Sequence, residues 1–82
     1  MRVSVLLFGP QATLAGARSV DVDVAAESPT ANDILAALRE ASPALTGSLA
    51  MSRLAVNHEF AAPDRPIGPG DEVALIGMVS GG

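Results

Sequence analysis

The side chains that do most enzyme chemistry are scarce in this chain of 82 residues. Cysteine and lysine are absent, and His58 is the single histidine. Without cysteine there is no disulfide, thiolate nucleophile or thiolate metal ligand. Without lysine there is neither a Schiff base nor a phosphate-loop lysine, and no side-chain amine that could attack an activated carboxyl group in cis. One histidine alone makes neither a metal cluster nor a triad. Asp21 and Asp23 share a strand face with no third ligand near them in sequence, the pattern of a solvated face rather than a cation site. Against this background the main-chain carboxylate at Gly82 stands out. It follows Gly77-Met78-Val79-Ser80-Gly81, a run without a charged side chain. Six extended residues reach roughly 20 Å. Paired glycines also strip the end of any Cβ, so such a terminus fits a narrow enzyme tunnel.

Composition narrows the setting. The length suits one domain with a single modest core. The chain is 49% hydrophobic with Phe8 and Phe60 as its only aromatic residues, so that core must be aliphatic. A net charge of −4 with scattered arginines argues against nucleic acid or an anionic membrane as a partner. No apolar run reaches the length of a membrane span and no signal-peptide pattern opens the chain, which makes the cytoplasm the expected location.

The elements that must hold up this tail can be read in order. Residues 2–8 alternate as a first strand, with Val3, Val5 and Leu7 on one face and Arg2, Ser4, Leu6 and Phe8 on the other. Gly9-Pro10 breaks it, and residues 11–17 form a connection with one helical turn closed by Gly16. Residues 19–24 alternate again, with Val20, Val22 and Val24 inward. Thr30 is an N-cap with Asp33 in the first turn, and Ala31, Ile34, Leu35, Leu38 and Ala41 make the apolar stripe of the main helix. Ser42-Pro43 ends it, with a short turn through Leu45. Gly47 and Ser48 read as loop, with Leu49 and Met51 tucked beneath. A third strand spans 53–57, followed by a turn at Asn57-His58-Glu59 and at most a short edge strand at 60–62. Gly68-Pro69-Gly70-Asp71 has the Pro-Gly centre of a type II turn and leads into a last strand over 72–76.

One helix stripe covers one face of a sheet, so the expected class is α+β in two layers. The parity of the last strand, set by a solvent-facing Glu72, puts Ala74 and Ile76 on the uncovered face with Phe8, and Phe60 is placed to join them. Large apolar residues gathered at the root of a tail mark a docking surface.

The run Leu54-Ala55-Val56-Asn57, the turn Gly68-Pro69-Gly70-Asp71-Glu72-Val73, the segment from Phe8-Gly9 to Leu14-Ala15-Gly16 and the Gly81-Gly82 end together resemble the small subunit of molybdopterin synthase, the MoaD type of the MoaD/ThiS family. The resemblance covers the whole chain. It implies a β-grasp, ubiquitin-like domain over 1–82: a mixed sheet of four to five strands, one main helix on one face, and a flexible C-terminal tail at 77–82. Family members often carry two prolines where this chain has Gly77-Met78.

The chemistry implied is sulfur transfer by the C-terminus. An E1-like enzyme using ATP adenylates Gly82, a sulfur donor converts it to a thiocarboxylate, and the large synthase subunit uses that sulfur on a cyclic pyranopterin precursor. The chain itself binds no cofactor and is non-catalytic alone. Gly82 and Gly81 are the reactive end, while Phe8, Phe60, Ile76, Met78 and Val79 are the expected partner contacts. A hetero-oligomer with two copies of each subunit is implied. A ThiS-type carrier for thiamine thiazole synthesis ranks second; a ubiquitin-like protein modifier and a plain interaction domain remain as alternatives.

Overall fold

Five short stretches of alternating residues pair into one mixed sheet in the computed structural model, which describes residues 1–78. In chain order the strands are β1 (Arg2–Leu6), β2 (Ser19–Asp23), β3 (Ser52–Val56), β4 (Glu59–Phe60) and β5 (Val73–Gly77), arranged in space as β2-β1-β5-β3-β4. The helices are α1 (Gly9–Ala15), α2 (Ala31–Ala41) and the single turn α3 (Thr46–Leu49), which continues a 3₁₀ turn at Pro43–Leu45. β1 and β5 run parallel through the middle, Val5 opposite Val73 and Leu6 opposite Ala74, while the other pairings are antiparallel. This is the expected α+β arrangement of one main helix on one face of a five-stranded sheet.

The period-2 pattern puts Val3, Val5, Val22, Leu54, Val56, Val73 and Leu75 under α2, all buried. From the helix, Ala31, Ile34 and Leu38 descend onto them, and Leu45, Leu49, Ala61 and Ile67 close the margins. The start of α2 is tightly specified. Thr30 Oγ1 accepts from the Asp33 N–H at 3.2 Å, and Asp33 returns the bond to the Thr30 N–H at 2.9 Å. The next free donors, on Ala31 and Asn32, reach the carbonyls of Arg65 and Pro63. Every early amide of the helix thus has a partner, and the 61–67 segment is tied to the helix.

Several local expectations are corrected. The first strand ends at Leu6, short of the expected residue 8, and Gly9-Pro10 opens α1, because proline lacks only an N–H that the first helical turn leaves unpaired anyway. Gly47 and Ser48 are helical rather than loop, and Met51 emerges beyond them 56% exposed instead of tucked beneath. Ala41 ends α2 on its exposed side. The final strand reaches Gly77, one residue past the expected end, and the Met78 N–H donates to the Met51 carbonyl at 2.7 Å. Of the expected tail 77–82, residues 79–82 lie outside the described residues.

Candidate functional site on the open face of the sheet

Side chains that point away from α2 have no layer above them. In the middle of this face Ala55 of β3 lies opposite Ala74 of β5, and Ala74 in turn lies opposite Leu6 of β1. β4 adds Phe60 directly across from Ala55. Two methyl side chains between larger neighbours make a floor, so the face is grooved rather than flat. Leu6 and Phe8 stand on one side, Phe60 on the other, and Ile76 at one end; His58 and Glu72 rim the groove, whose volume is about 340 Å³. Phe8 and Phe60 are each more than half exposed, so α1 does not fold over them. The Arg53 guanidinium sits 5.0 Å from the Phe60 ring centre, a cation–π contact that steadies the ring from one side.

A second depression of about 380 Å³ continues from the first across Phe8 and Ile76 to Met51 and Met78. The two together form one apolar track that ends where the described chain ends. Flexible thioethers suit a surface that adapts to what it meets.

The polar end of the groove is built by the tight β3–β4 hairpin. Asn57 and His58 both have positive φ, 53° and 72°, as a two-residue turn between antiparallel strands requires. Asn57 then clamps the start of β5: its Oδ1 accepts from the Glu72 N–H at 2.9 Å, and its Nδ2 donates to Asp71 Oδ1 at 3.0 Å. The other Asp71 oxygen accepts from the Gly68 N–H at 2.8 Å across the expected type II turn, in which Gly70 has φ 88°. The Gly68 amide, then the Asn57 side chain, and less so nearby Arg65 hold the Asp71 carboxyl below its ordinary 3.8. His58 Nε2 lies 3.0 Å from Glu72 Oε2 in an exposed pair.

Of the residues expected to meet a partner, Phe8, Phe60 and Ile76 line the groove and Met78 lines the depression beside it. Val79, Gly81 and Gly82 lie outside the described residues. Leu6, Ala55, Ala74 and Met51 belong to the same track but were not singled out from sequence as contacts. Ala55 shares the phase of Arg53, a signal that places it on the open face without showing that it abuts Ala74. Asp21 and Asp23 lie exposed on β2, with Arg2 3.5 Å from Asp23. Among the described residues, no group of three or more histidine, cysteine or acidic residues could hold a metal ion. No described helix is long and apolar enough to cross a membrane.

Comparison with known proteins agrees with this geometry. The chain is 32% identical over 80 residues to the molybdopterin synthase sulfur carrier subunit of Dictyostelium discoideum, covering 95% of this chain and 93% of the relative. Among solved structures it superposes on SAMP1 from Haloferax volcanii with a TM-score of 0.81 and 38% identity, over all of both chains. A chain from the complex of subunits 1 and 2 of the molybdopterin-converting factor of Helicobacter pylori 26695 shares the fold, with a TM-score of 0.70, 24% identity and complete coverage of both chains. The model of the ThiS family matches residues 5–82. A β-grasp domain with an open apolar face beside its last strand, matched over nearly its whole length by that model, belongs to the ThiS/MoaD family.

Proposed function

We propose that the chain is a sulfur carrier that serves as the small subunit of a molybdopterin synthase. The observation that carries this reading is the apolar track, which runs from an alanine-floored groove to Met78, the last described residue before Val79-Ser80-Gly81-Gly82. The name of the D. discoideum relative supports it. In this reading the track docks the large synthase subunit; the H. pylori neighbour is itself a complex of two subunits of a molybdopterin-converting factor. Groups that bind substrate and move protons then belong to that partner.

In the proposed chemistry the Gly82 carboxylate attacks the α-phosphorus of ATP on an E1-like enzyme and releases pyrophosphate. The mixed anhydride makes AMP a good leaving group, and a reduced sulfur donor displaces it to leave a thiocarboxylate. That group is an anionic sulfur nucleophile at neutral pH, able to deliver sulfur to a cyclic pyranopterin precursor; hydrolysis then restores the carboxylate. The proposed use of ATP by the activating enzyme suits a cytoplasmic setting.

The test is mass spectrometry of the intact chain after incubation with an activating enzyme, ATP and a sulfur donor. A gain equal to exchanging one oxygen for sulfur is expected, and it should vanish when Gly82 is deleted or a residue is added after it. Absence of the gain, or its persistence in either variant, refutes the reading. The alternative is a protein modifier, the word in the name of a chain 36% identical to this one, small archaeal modifier protein 1 of H. volcanii. In that case the Gly82 acyl group would appear in amide linkage to lysines of other proteins.

A further inference from the structure

We propose that Gln11 is a positioning residue that sets the direction in which the chain leaves β5, and so aims the C-terminal segment. Gln11 is the one buried polar side chain among the described residues. It comes from α1, a short helix with no other buried member. A buried carboxamide is costly unless its hydrogen bonds are met. Gln11 Nε2 donates to Ser52 Oγ at 2.8 Å, and Ser52 Oγ donates onward to the Ser48 carbonyl at 2.7 Å. The remainder of the amide lies against Gly77. A Cβ added there would sit 2.6 Å from Gln11 Nε2, 3.0 Å from Oε1 and 3.2 Å from Cδ.

Ser52 and Gly77 are the two members of the last pair in the β3–β5 ladder, so Gln11 grips both. The need for such a grip follows from the register. β1 accompanies β5 only at Val73 and Ala74, leaving the end of β5 with β3 on one side and no strand on the other. Gln11 lies over the α2-bearing face of this end, the face to which Ser52 and Gly77 turn by parity with Leu54 and Leu75. One bond further on, the Met78 N–H donates to the Met51 carbonyl, the final backbone tie among the described residues. A methyl at 77 would therefore push the end of the Gln11 side chain aside and break its bond to Ser52.

This role rests on the sulfur-carrier reading, yet part of its test does not. Amide hydrogen exchange on the full chain should show Met78 exchanging about tenfold faster in Gln11→Ala and in Gly77→Ala, with β1–β2 amides unmoved, as expected of local opening. In the double variant the space left by Gln11 receives the new methyl, so its effect should be no larger than that of Gln11→Ala alone, the non-additivity of residues in contact. With the activating enzyme, sulfur donor and a saturating concentration of the large synthase subunit present, Gln11→Ala should slow sulfur transfer about tenfold; saturation removes any effect on docking at the depression that Gln11 also lines. Unmoved Met78 exchange in both single variants, additive effects in the double, or a transfer rate equal to that of wild type overturns the role of Gln11. A wild-type chain that never takes up sulfur refutes the carrier reading instead, and the exchange data alone then decide whether Gln11 holds the root of the tail.

Discussion

Both faces of this sheet are apolar along their centre, and they differ in side-chain size and in what lies above them. Beneath α2 the strands present Val3, Val5, Leu54, Val56, Val73 and Leu75, which interlock with Ile34 and Leu38 and leave almost nothing exposed. On the other face the same strands present Leu6, Ala55 and Ala74, with Phe8 and Phe60 standing above them half in water. Large residues filling a covered layer make a core that is sensitive to every methylene. Small residues between large ones leave a recess that only another molecule can fill. Polarity thus does not distinguish the stabilising face from the proposed docking face in this domain; volume does.

Equal cuts on the two faces should have opposite consequences. Ile34→Ala, at a site with no exposure, should cost about 3 kcal/mol of stability in denaturant unfolding, within the usual range for emptying a core site. A loss below about 1 kcal/mol would mean that α2 covers the sheet more loosely than its packing indicates. Phe60→Asp should instead weaken binding to the large subunit by roughly ten- to a hundredfold, as loss of an aromatic anchor does, with stability changed by less than about 1 kcal/mol. Should the domain unfold, Phe60 belongs to the core and the contrast fails. Filling the floor with Ala74→Leu is a sharper version of the same test, because it adds apolar area yet should still obstruct docking.

Smaller effects probe the edges of the two layers. Thr30→Ala removes the cap that seats α2 over its face and should lower stability by about 1 kcal/mol in thermal or chemical unfolding. The open face should respond instead at its polar rim. Asp71 titrates lower in the folded chain than its ordinary 3.8, so the unfolded chain binds the proton first. Its contribution is then complete above that ordinary value and is lost as pH falls through the lower folded one. Asp71→Asn should flatten this acid limb of stability against pH, the least of these effects. An unchanged limb would show that the Gly68 and Asn57 contacts do not favour the ionised carboxyl.

Much of this architecture was legible residue by residue. Period-2 alternation marks β1 and β2, a threonine cap with Asp33 three residues on starts α2, and Pro69-Gly70 sets the turn into β5. These depend on bonds and steric preferences within a few residues, which a sequence states directly. Parity also put Phe8 and Ile76 on the open face, since the alternation of a strand is as local as its hydrogen bonds. What could not be read is which strands become neighbours. Ala55 and Ala74 are distant in sequence and become a floor only because β3 pairs with β5, a choice made by the whole core at once. Met51 shows the same limit, because its exposure follows from a helical turn at 46–49 whose propensity signals, Gly47 and Ser48, point the other way.

By itself, then, the sequence determined the identity of most elements, the inward phase of each strand and the lack of cysteine and lysine chemistry. Tertiary structure alone decided the order of strands, the recess between the alanines and the placement of Gln11 against Gly77. Local conformation is governed by contacts that chain connectivity already supplies. Register and recess depend on pairings between distant segments, whose entropy of closure is met only when all the layers pack together.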